Sequence, residues 1–222
     1  RIEFLYRKLM VVRTNFSDNR TVLATLDPFS SAIANLYAKV CLKNPLAHVM
    51  RQEPVCVVFS GQPGRGKSYL MGPLQQDLAK ITGRYQEDAP IDSQVYVRCQ
   101  EQEYWDGYCG QPIVIFDDFG QAVDSVNNPN LDFHELIRAV NIFPYPLHSA
   151  ALHEKANNPF NAEFVILTTN LRVPRAVSII SQEALLRRLH LHVHVDAHPA
   201  VLTNGTIDVV KLTKYRLDNN LP

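Results

Sequence analysis

The sequence predicts an α/β fold, a parallel sheet flanked by helices, and three observations lead there. Short β-branched runs alternate with helix-like stretches from Pro54 onward, the rhythm that builds a parallel sheet. The first three runs are continuously apolar, as strands buried on both faces are. Between the first run and the first helix of this region stands a glycine-rich turn, Gly61-Gln62-Pro63-Gly64-Arg65-Gly66-Lys67-Ser68.

The chain has 222 residues, 46% of them hydrophobic, enough for one globular core and a small appendage. Residues 1–26 mix bases with Ile2, Phe4, Leu5, Leu9, Met10 and Val11 and read as a helix or part of a linker. Over residues 30–42, Ile33, Leu36, Tyr37 and Val40 recur at helical spacing. Ser30 or Ser31 would cap this accessory helix, which is expected to pack on the core. Strands are predicted at 55–59, 95–97, 113–116, 164–168 and 189–195, and helices at 67–81, 131–141 and 182–187. The last strand alternates: Leu189, Leu191, Val193 and Val195 share one side, and His190, His192 and His194 the other. It should therefore have one wetter face. The organisation read from this is an N-terminal helical extension over 1–50, a main α/β domain over 51–198 and a C-terminal extension over 199–222.

Twenty-two basic residues balance 22 acidic ones, so net charge alone announces no nucleic-acid partner. The distribution is uneven. From Glu87 to Glu135 acidic residues crowd together with Arg98 as the only Lys or Arg, while bases gather in the N-terminal segment and at Arg172, Arg175, Arg187 and Arg188. A neutral total can hide a basic face. The four cysteines, Cys41, Cys56, Cys99 and Cys109, form no CxxC pair, which suggests free thiols in a reducing compartment. Apolar runs such as residues 54–59 are too short to cross a bilayer, and no signal-peptide pattern is visible. The start at Arg1 suggests a piece cut from a longer polypeptide.

The chemistry begins at the glycine-rich turn. Residues 61–68 fit GxxxxGK[ST] in the context that motif needs, after an apolar strand and before a helix. Glycines allow backbone to wrap a phosphate, and amides of the loop and helix N-terminus face the anion. The nucleotide-binding set is Gly61, Gln62, Pro63, Gly64, Arg65, Gly66, Lys67, Ser68 and Tyr69. Lys67 is expected to reach the β- and γ-phosphates of ATP, and Ser68 to ligate Mg²⁺. Next, Ile113-Val114-Ile115-Phe116 ends in Asp117-Asp118. Carboxylates closing an apolar strand are costly unless a cation or water uses them. Asp117 is the candidate to hold Mg²⁺ with Ser68, and Asp118 the candidate general base for the attacking water. A third strand, Phe164-Val165-Ile166-Leu167-Thr168-Thr169, ends at Asn170, which can hydrogen-bond the γ-phosphate or that water. Finally, Arg187 and Arg188 close a short helix. They suit either charge stabilisation in a neighbouring subunit's site or ordinary complementation of the helix dipole.

In this order the four motifs resemble the superfamily 3 helicases of picornaviruses and related positive-strand RNA viruses, the 2C-type proteins. Arg51-Gln52-Glu53-Pro54-Val55-Cys56 resembles the family's R-x-E-P-V lead-in, and Tyr104-Trp105-Asp106-Gly107-Tyr108 its F-D-G-Y segment. Phe119-Gly120-Gln121 resembles the run after the paired Asp. Ala150-Ala151-Leu152-His153-Glu154-Lys155 is similar to the A-A-L-E-E-K stretch, and Arg187-Arg188-Leu189-His190 to R-R-F-H. The resemblance runs from about Arg51 to Val195. It implies an AAA+ P-loop NTPase whose five-stranded parallel sheet has the order 5-1-4-3-2. It also implies a homo-oligomeric ring, a hexamer, with ATP and Mg²⁺ between subunits and Arg187 and Arg188 acting in trans. Single-stranded RNA is the implied partner, met at a pore-facing loop ending at Lys155. Other viral replication proteins are implied as further partners. The implied place is the host cytoplasm, on virus-induced replication membranes. Two departures from the family matter. The cysteine-rich zinc element of some members has no counterpart, so no zinc is expected, and no amphipathic membrane-binding N-terminus is evident.

Rival readings are weaker. His190, His192, His194 and His198 lack a cysteine or carboxylate cluster beyond Asp196, so surface histidines are favoured over a metal site. Tyr104, Trp105 and Tyr108 suit base stacking or packing, and packing is preferred. There is no NKxD to read guanine and no LSGGQ. Two functional classes stay open: an RNA-stimulated ATPase that moves on or unwinds RNA, and an ATP-gated RNA-binding scaffold with little strand separation.

Overall fold

Apolar runs too short to be stable alone pair into one parallel sheet because its inner strands bury both faces between helices. The structure is a computed structural model. It describes residues 19–42, 50–82, 94–99, 102–148 and 159–221, together with Leu5, Lys8, Leu9, Val12, Arg13 and Phe16. Lys155 and the stretch ending there lie outside the described residues.

Helix α1 spans Arg20–Leu42. It is followed by β1 (Val55–Ser60), α2 (Lys67–Ile81), β2 (Val95–Arg98), β3 (Ile113–Phe116), α3 (Leu131–Ala139) and β4 (Phe164–Thr169). Then come α4 (Gln182–Leu186), β5 (Leu191–His194), a 3₁₀ turn (Pro199–Val201), the strands β6 (Leu202–Thr203) and β7 (Thr206–Ile207), and α5 (Val209–Asp218). Strands β1 to β5 form a sheet in the order β2-β3-β4-β1-β5, and every pairing in it is parallel. Read from the other edge this is 5-1-4-3-2, the order the resemblance implied.

The sheet has two buried faces. On one, Cys56, Val58, Val114, Phe116, Val165 and Leu167 meet Phe133 and Leu136 of α3 and Leu185 of α4. On the other, Phe59, Ile113, Ile115 and Ile166 meet Met71, Leu78 and Ala79 of α2. Trp105 and Tyr108 are almost wholly buried. Trp105 stacks on Tyr96 and meets Phe116, Tyr145 and Phe160 edge-on, so these aromatics pack in the core. Arg98, at the end of β2, lies over the Trp105 ring and makes a two-pronged ion pair with Glu135 of α3 at 2.9 and 3.0 Å.

Three expectations need correction. First, α1 begins ten residues before the predicted cap. Asn19 caps it, accepting the Val22 N–H at 3.2 Å. Ser30 lies inside the helix, where its hydroxyl donates to Leu26 O and accepts from Arg13. Local capping residues compete for helix starts, and Asn19 prevails even with Pro28 inside the helix. Second, the α1 face expected to pack on the core does so only in part where it is described: Ile33 is half-buried and Leu36 is 50% exposed. Third, the alternation predicted over residues 189–195 holds only at its ends: Leu189 is half-buried and Val195 buried, while Leu191 and Val193, in the edge strand β5, are exposed like His192 and His194.

Candidate active site

Register brings the motifs together. Parallel pairing aligns Ser60 with Thr169 and Phe116 with Leu167. One step further on, the Gly61 N–H donates to Thr169 O at 3.2 Å and Asp117 accepts the Thr168 hydroxyl, both at the carboxyl edge of the sheet, where open α/β sheets hold ligands.

The loop of residues 61–66 leaves β1 and opens α2 at Gly66, which has φ 87°. Gly64 is also left-handed, with φ 73°, a region other residues enter only with strain. Lys67 is buried, and its Nζ donates to Gly61 O at 2.8 Å, Gln62 O at 3.1 Å and Asn170 Oδ1 at 2.6 Å. Burial lowers its pKa, while the charges of Asp118 and Asp117 act against the shift. Among the described residues the ammonium is thus hydrogen-bonded only to neutral oxygens. A cation held this way beside a glycine cradle and a helix N-terminus fits a bound polyphosphate.

The two aspartates stand exposed just past β3. Thr168 organises both: its hydroxyl donates to Asp117 Oδ1 at 2.6 Å and accepts the Asp118 N–H at 3.0 Å. Asp118 takes a left-handed φ of 47°. Asn170 links the halves of the site, receiving Lys67 on Oδ1 and turning Nδ2 toward Asp118 Oδ1 at 3.5 Å. Ser68 lies exposed in the first turn of α2. Ser68 and Asp117 supply hard oxygen donors of the kind Mg²⁺ prefers. A cleft of about 480 Å³ adjoins the loop, lined by Gly61, Gln62, Arg65, Asn170, Arg172, His194 and Asp196.

The arginines part company. Arg187 is exposed at the end of α4. Arg188, 6% exposed, turns inward. Its Nε donates to Ile137 O and Val140 O, both at 3.0 Å, and Nη1 to Ala184 O. Arg51 reaches the same helix end, donating to Arg138 O and Ala139 O. Two guanidinium groups therefore satisfy the last carbonyls of α3, where a helix dipole favours cations. The histidines in and just before β5 are also engaged with the sheet: His190 accepts the Cys56 N–H, and His192 and His194 contact the Ser60 hydroxyl.

Sequence reasoning missed several residues. Thr168 lay inside the quoted strand, but its hydroxyl was given no part. Arg172, two residues past Asn170, lines the cleft. Asp124 gathers the loop after Asp118, accepting N–H groups from Asn130, Val177 and Ser178. Its carboxyl is held down to about 2, although desolvation opposes this, because those donors favour the charged form. The hairpin β6–β7 was also missed, despite Asn204-Gly205, the strongest short-range hairpin signal.

Strand order and site together define a P-loop NTPase. Comparison with known proteins narrows the class. The family model described as RNA helicase matches residues 57–171. The chain is 34% identical over 195 residues to the replicase polyprotein of acute bee paralysis virus, covering 86% of this chain and 10% of that protein. It is 33% identical over 194 residues to the replicase polyprotein of cricket paralysis virus, covering 87% and 11%. It is 32% identical over 196 residues to a human hepatitis A virus genome polyprotein, covering 86% and 8%. The chain belongs to the RNA helicase family of superfamily 3, the 2C-type proteins of picornavirus-like viruses. It spans about a tenth of the length of the curated relatives it matches. Membership carries a helicase and NTPase role. No helix among the described residues is long and apolar enough to cross a membrane.

Proposed function

We propose that this chain is the ATP-hydrolysing motor of an RNA helicase or translocase in a viral replication complex. The observation that carries the reading is the Lys67–Asn170–Asp118 chain, which joins a phosphate-binding cation to a carboxylate across three adjacent strands. Gly61 to Tyr69 bind the nucleotide. Mg²⁺ would be held by Ser68 and Asp117 and would neutralise charge on the β- and γ-phosphates. Lys67 exchanges its contacts with Gly61 O and Gln62 O for phosphate oxygens. Asn170 orients the attacking water, and Asp118 takes its proton. Arg187, exposed, reaches a neighbour's γ-phosphate in a homo-oligomeric ring, a hexamer. Arg188 holds the helix end that presents it. Single-stranded RNA is the polymer acted on, with Lys155 a phosphate contact. Function is exerted with other viral replication proteins in the host cytoplasm, on virus-induced membranes.

Two variants test the reading. Lys67→Ala should abolish nucleotide binding, because the phosphates lose their main point charge. Asp118→Asn should bind Mg·ATP and fail to hydrolyse it. Normal turnover in either variant sinks the assignment. A duplex-unwinding assay on the assembled full-length protein, with and without ATP, separates a helicase from a scaffold.

A further inference from the structure

The chain leaving β5 wraps the outside of the P-loop and holds it at three points. Val195 passes so close to Gly61 that a Cβ there would lie 2.2 Å from the Val195 carbonyl oxygen. Asp196 then receives Arg65 at 3.1 Å. The third hold is the β6–β7 hairpin. The Ile207 N–H donates to Gly64 O at 3.0 Å. Thr206 and Ile207 fill the space behind the two left-handed glycines: a Cβ on Gly64 would lie 2.6 Å from Thr206 Cγ2, and one on Gly66 would lie 3.0 Å from Ile207 Cδ1.

The hairpin is itself braced. Asn204 and Gly205, with φ of 51° and 83°, make its turn, the left-handed pair of a type I′ loop. Asp208 caps α5 by accepting from Val210 and Lys211, and its other oxygen accepts the Thr203 hydroxyl. The Asp208 N–H donates to Val201 O, Lys211 Nζ reaches Leu202 O, and Tyr215 stacks on His198 at 4.9 Å. The whole C-terminal segment is thereby mechanically continuous with Gly64.

We propose that the hairpin of residues 202–207 is a positioning element of the phosphate site, so that nucleotide affinity depends on the docked C-terminal segment. The proposal rests on reading the P-loop as a nucleotide site. Glycines have the widest backbone freedom, so a loop carrying three of them samples many forms in which its amides diverge. An external hydrogen bond and two side chains behind the glycines select one form. By reciprocity, a ligand that needs this form tightens the hairpin's docking.

The test uses the 222-residue chain, with Mg·ATP and inorganic tripolyphosphate as probes competing against a fluorescent ATP analogue. Ile207→Pro removes the N–H donor and should weaken both probes by about tenfold, the worth of one well-formed hydrogen bond. Ile207→Val keeps the donor and loses only the Cδ1 behind Gly66, so it should weaken both probes by clearly less than Ile207→Pro does. Wild-type affinity for both probes in a folded Ile207→Pro protein overturns the proposal. So does loss of ATP alone, because the hairpin would then act on the nucleoside. If Ile207→Pro does not fold, hydrogen exchange on the wild-type protein decides. Tripolyphosphate should slow exchange over residues 202–218, and unchanged exchange with ligand bound overturns the idea. Failure of the nucleotide reading looks different. Wild type would then bind neither probe, or Lys67→Ala would bind both unchanged, and the proposal would fall with that reading.

Discussion

Replacing Arg188 and Arg187 one at a time should split stability from turnover. Arg188 is buried and gives Nε to Ile137 O and Val140 O, and Nη1 to Ala184 O. One N–H shared by two carbonyls counts once, so Arg188→Ala removes two charge-assisted hydrogen bonds of about 1.5–3 kcal/mol each. Burying the guanidinium is costly, as its lowered pKa shows, with desolvation the main cause and Arg187 adding to it. That cost offsets part of the gain, and Arg51 still serves the neighbouring carbonyls. The net loss is about 3 kcal/mol, or roughly 6–12 °C in melting temperature for a chain of this size. Arg188→Lys keeps the charge without the fork and should recover part of it. Arg187→Ala removes an exposed side chain and should change stability by less than about 0.5 kcal/mol, while ATP turnover falls on the order of a thousandfold. Mixing Arg187→Ala with Lys67→Ala subunits should restore some phosphate release, since one kind of mixed interface pairs an intact P-loop with an intact arginine. An Arg188→Ala protein that melts with wild type refutes the capping argument. An Arg187→Ala protein that hydrolyses normally, or a mixture that recovers nothing, refutes the in-trans role.

Three other variants probe the surrounding network. Asp124→Asn should lower the melting temperature at neutral pH. A carboxylate depressed from 3.8 to about 2 stabilises above its unfolded pKa, and the unfolded chain binds the extra proton as pH falls. The gap to wild type should therefore close between about pH 4 and pH 2; a gap that persists at the acid end counts against the hydrogen-bonded carboxylate. Thr168→Val deletes the hydroxyl shared by Asp117 and Asp118 and should raise the Mg²⁺ concentration needed for half-maximal ATPase. Thr168→Ser should restore it, and an identical Mg²⁺ titration for Thr168→Val would exclude a positioning role. Lys155→Ala should weaken RNA binding alike for all sequences and reduce the salt slope by about one unit, while an unaltered slope makes Lys155 a solvated lysine.

What could be read from sequence was what is encoded locally or by strand register. The glycine loop, the paired aspartates and Asn170 each sit directly after an apolar strand. Parallel pairing then leaves little freedom: with Ser60 opposite Thr169 and Phe116 opposite Leu167, the three motifs must meet. The sheet order itself came from resemblance, since periodicity does not say which strand pairs with which. Where reading failed locally, a competing signal was present. Asn19 outbids Ser30 as the cap of α1, and Asn204-Gly205 announces a hairpin in a stretch read only as a C-terminal extension.

Other features are set by partners distant in the chain, and no local pattern carries them. Arg187 and Arg188 are the same residue type at adjacent positions, equally suited by sequence to solvent or to a helix dipole. The difference between them is made by the end of α3, whose carbonyls happen to lie on the Arg188 side. Had the register at the end of α4 been shifted by one residue, Arg187 would have taken the buried place of Arg188. The same holds for Gly64 and Gly66. Their left-handed backbone is legible as a phosphate-loop requirement, but their lack of side chains answers a second demand. Thr206 and Ile207 occupy the space a Cβ would need. Alanine at Gly64 should therefore cost more than backbone strain alone, because the hairpin must also move.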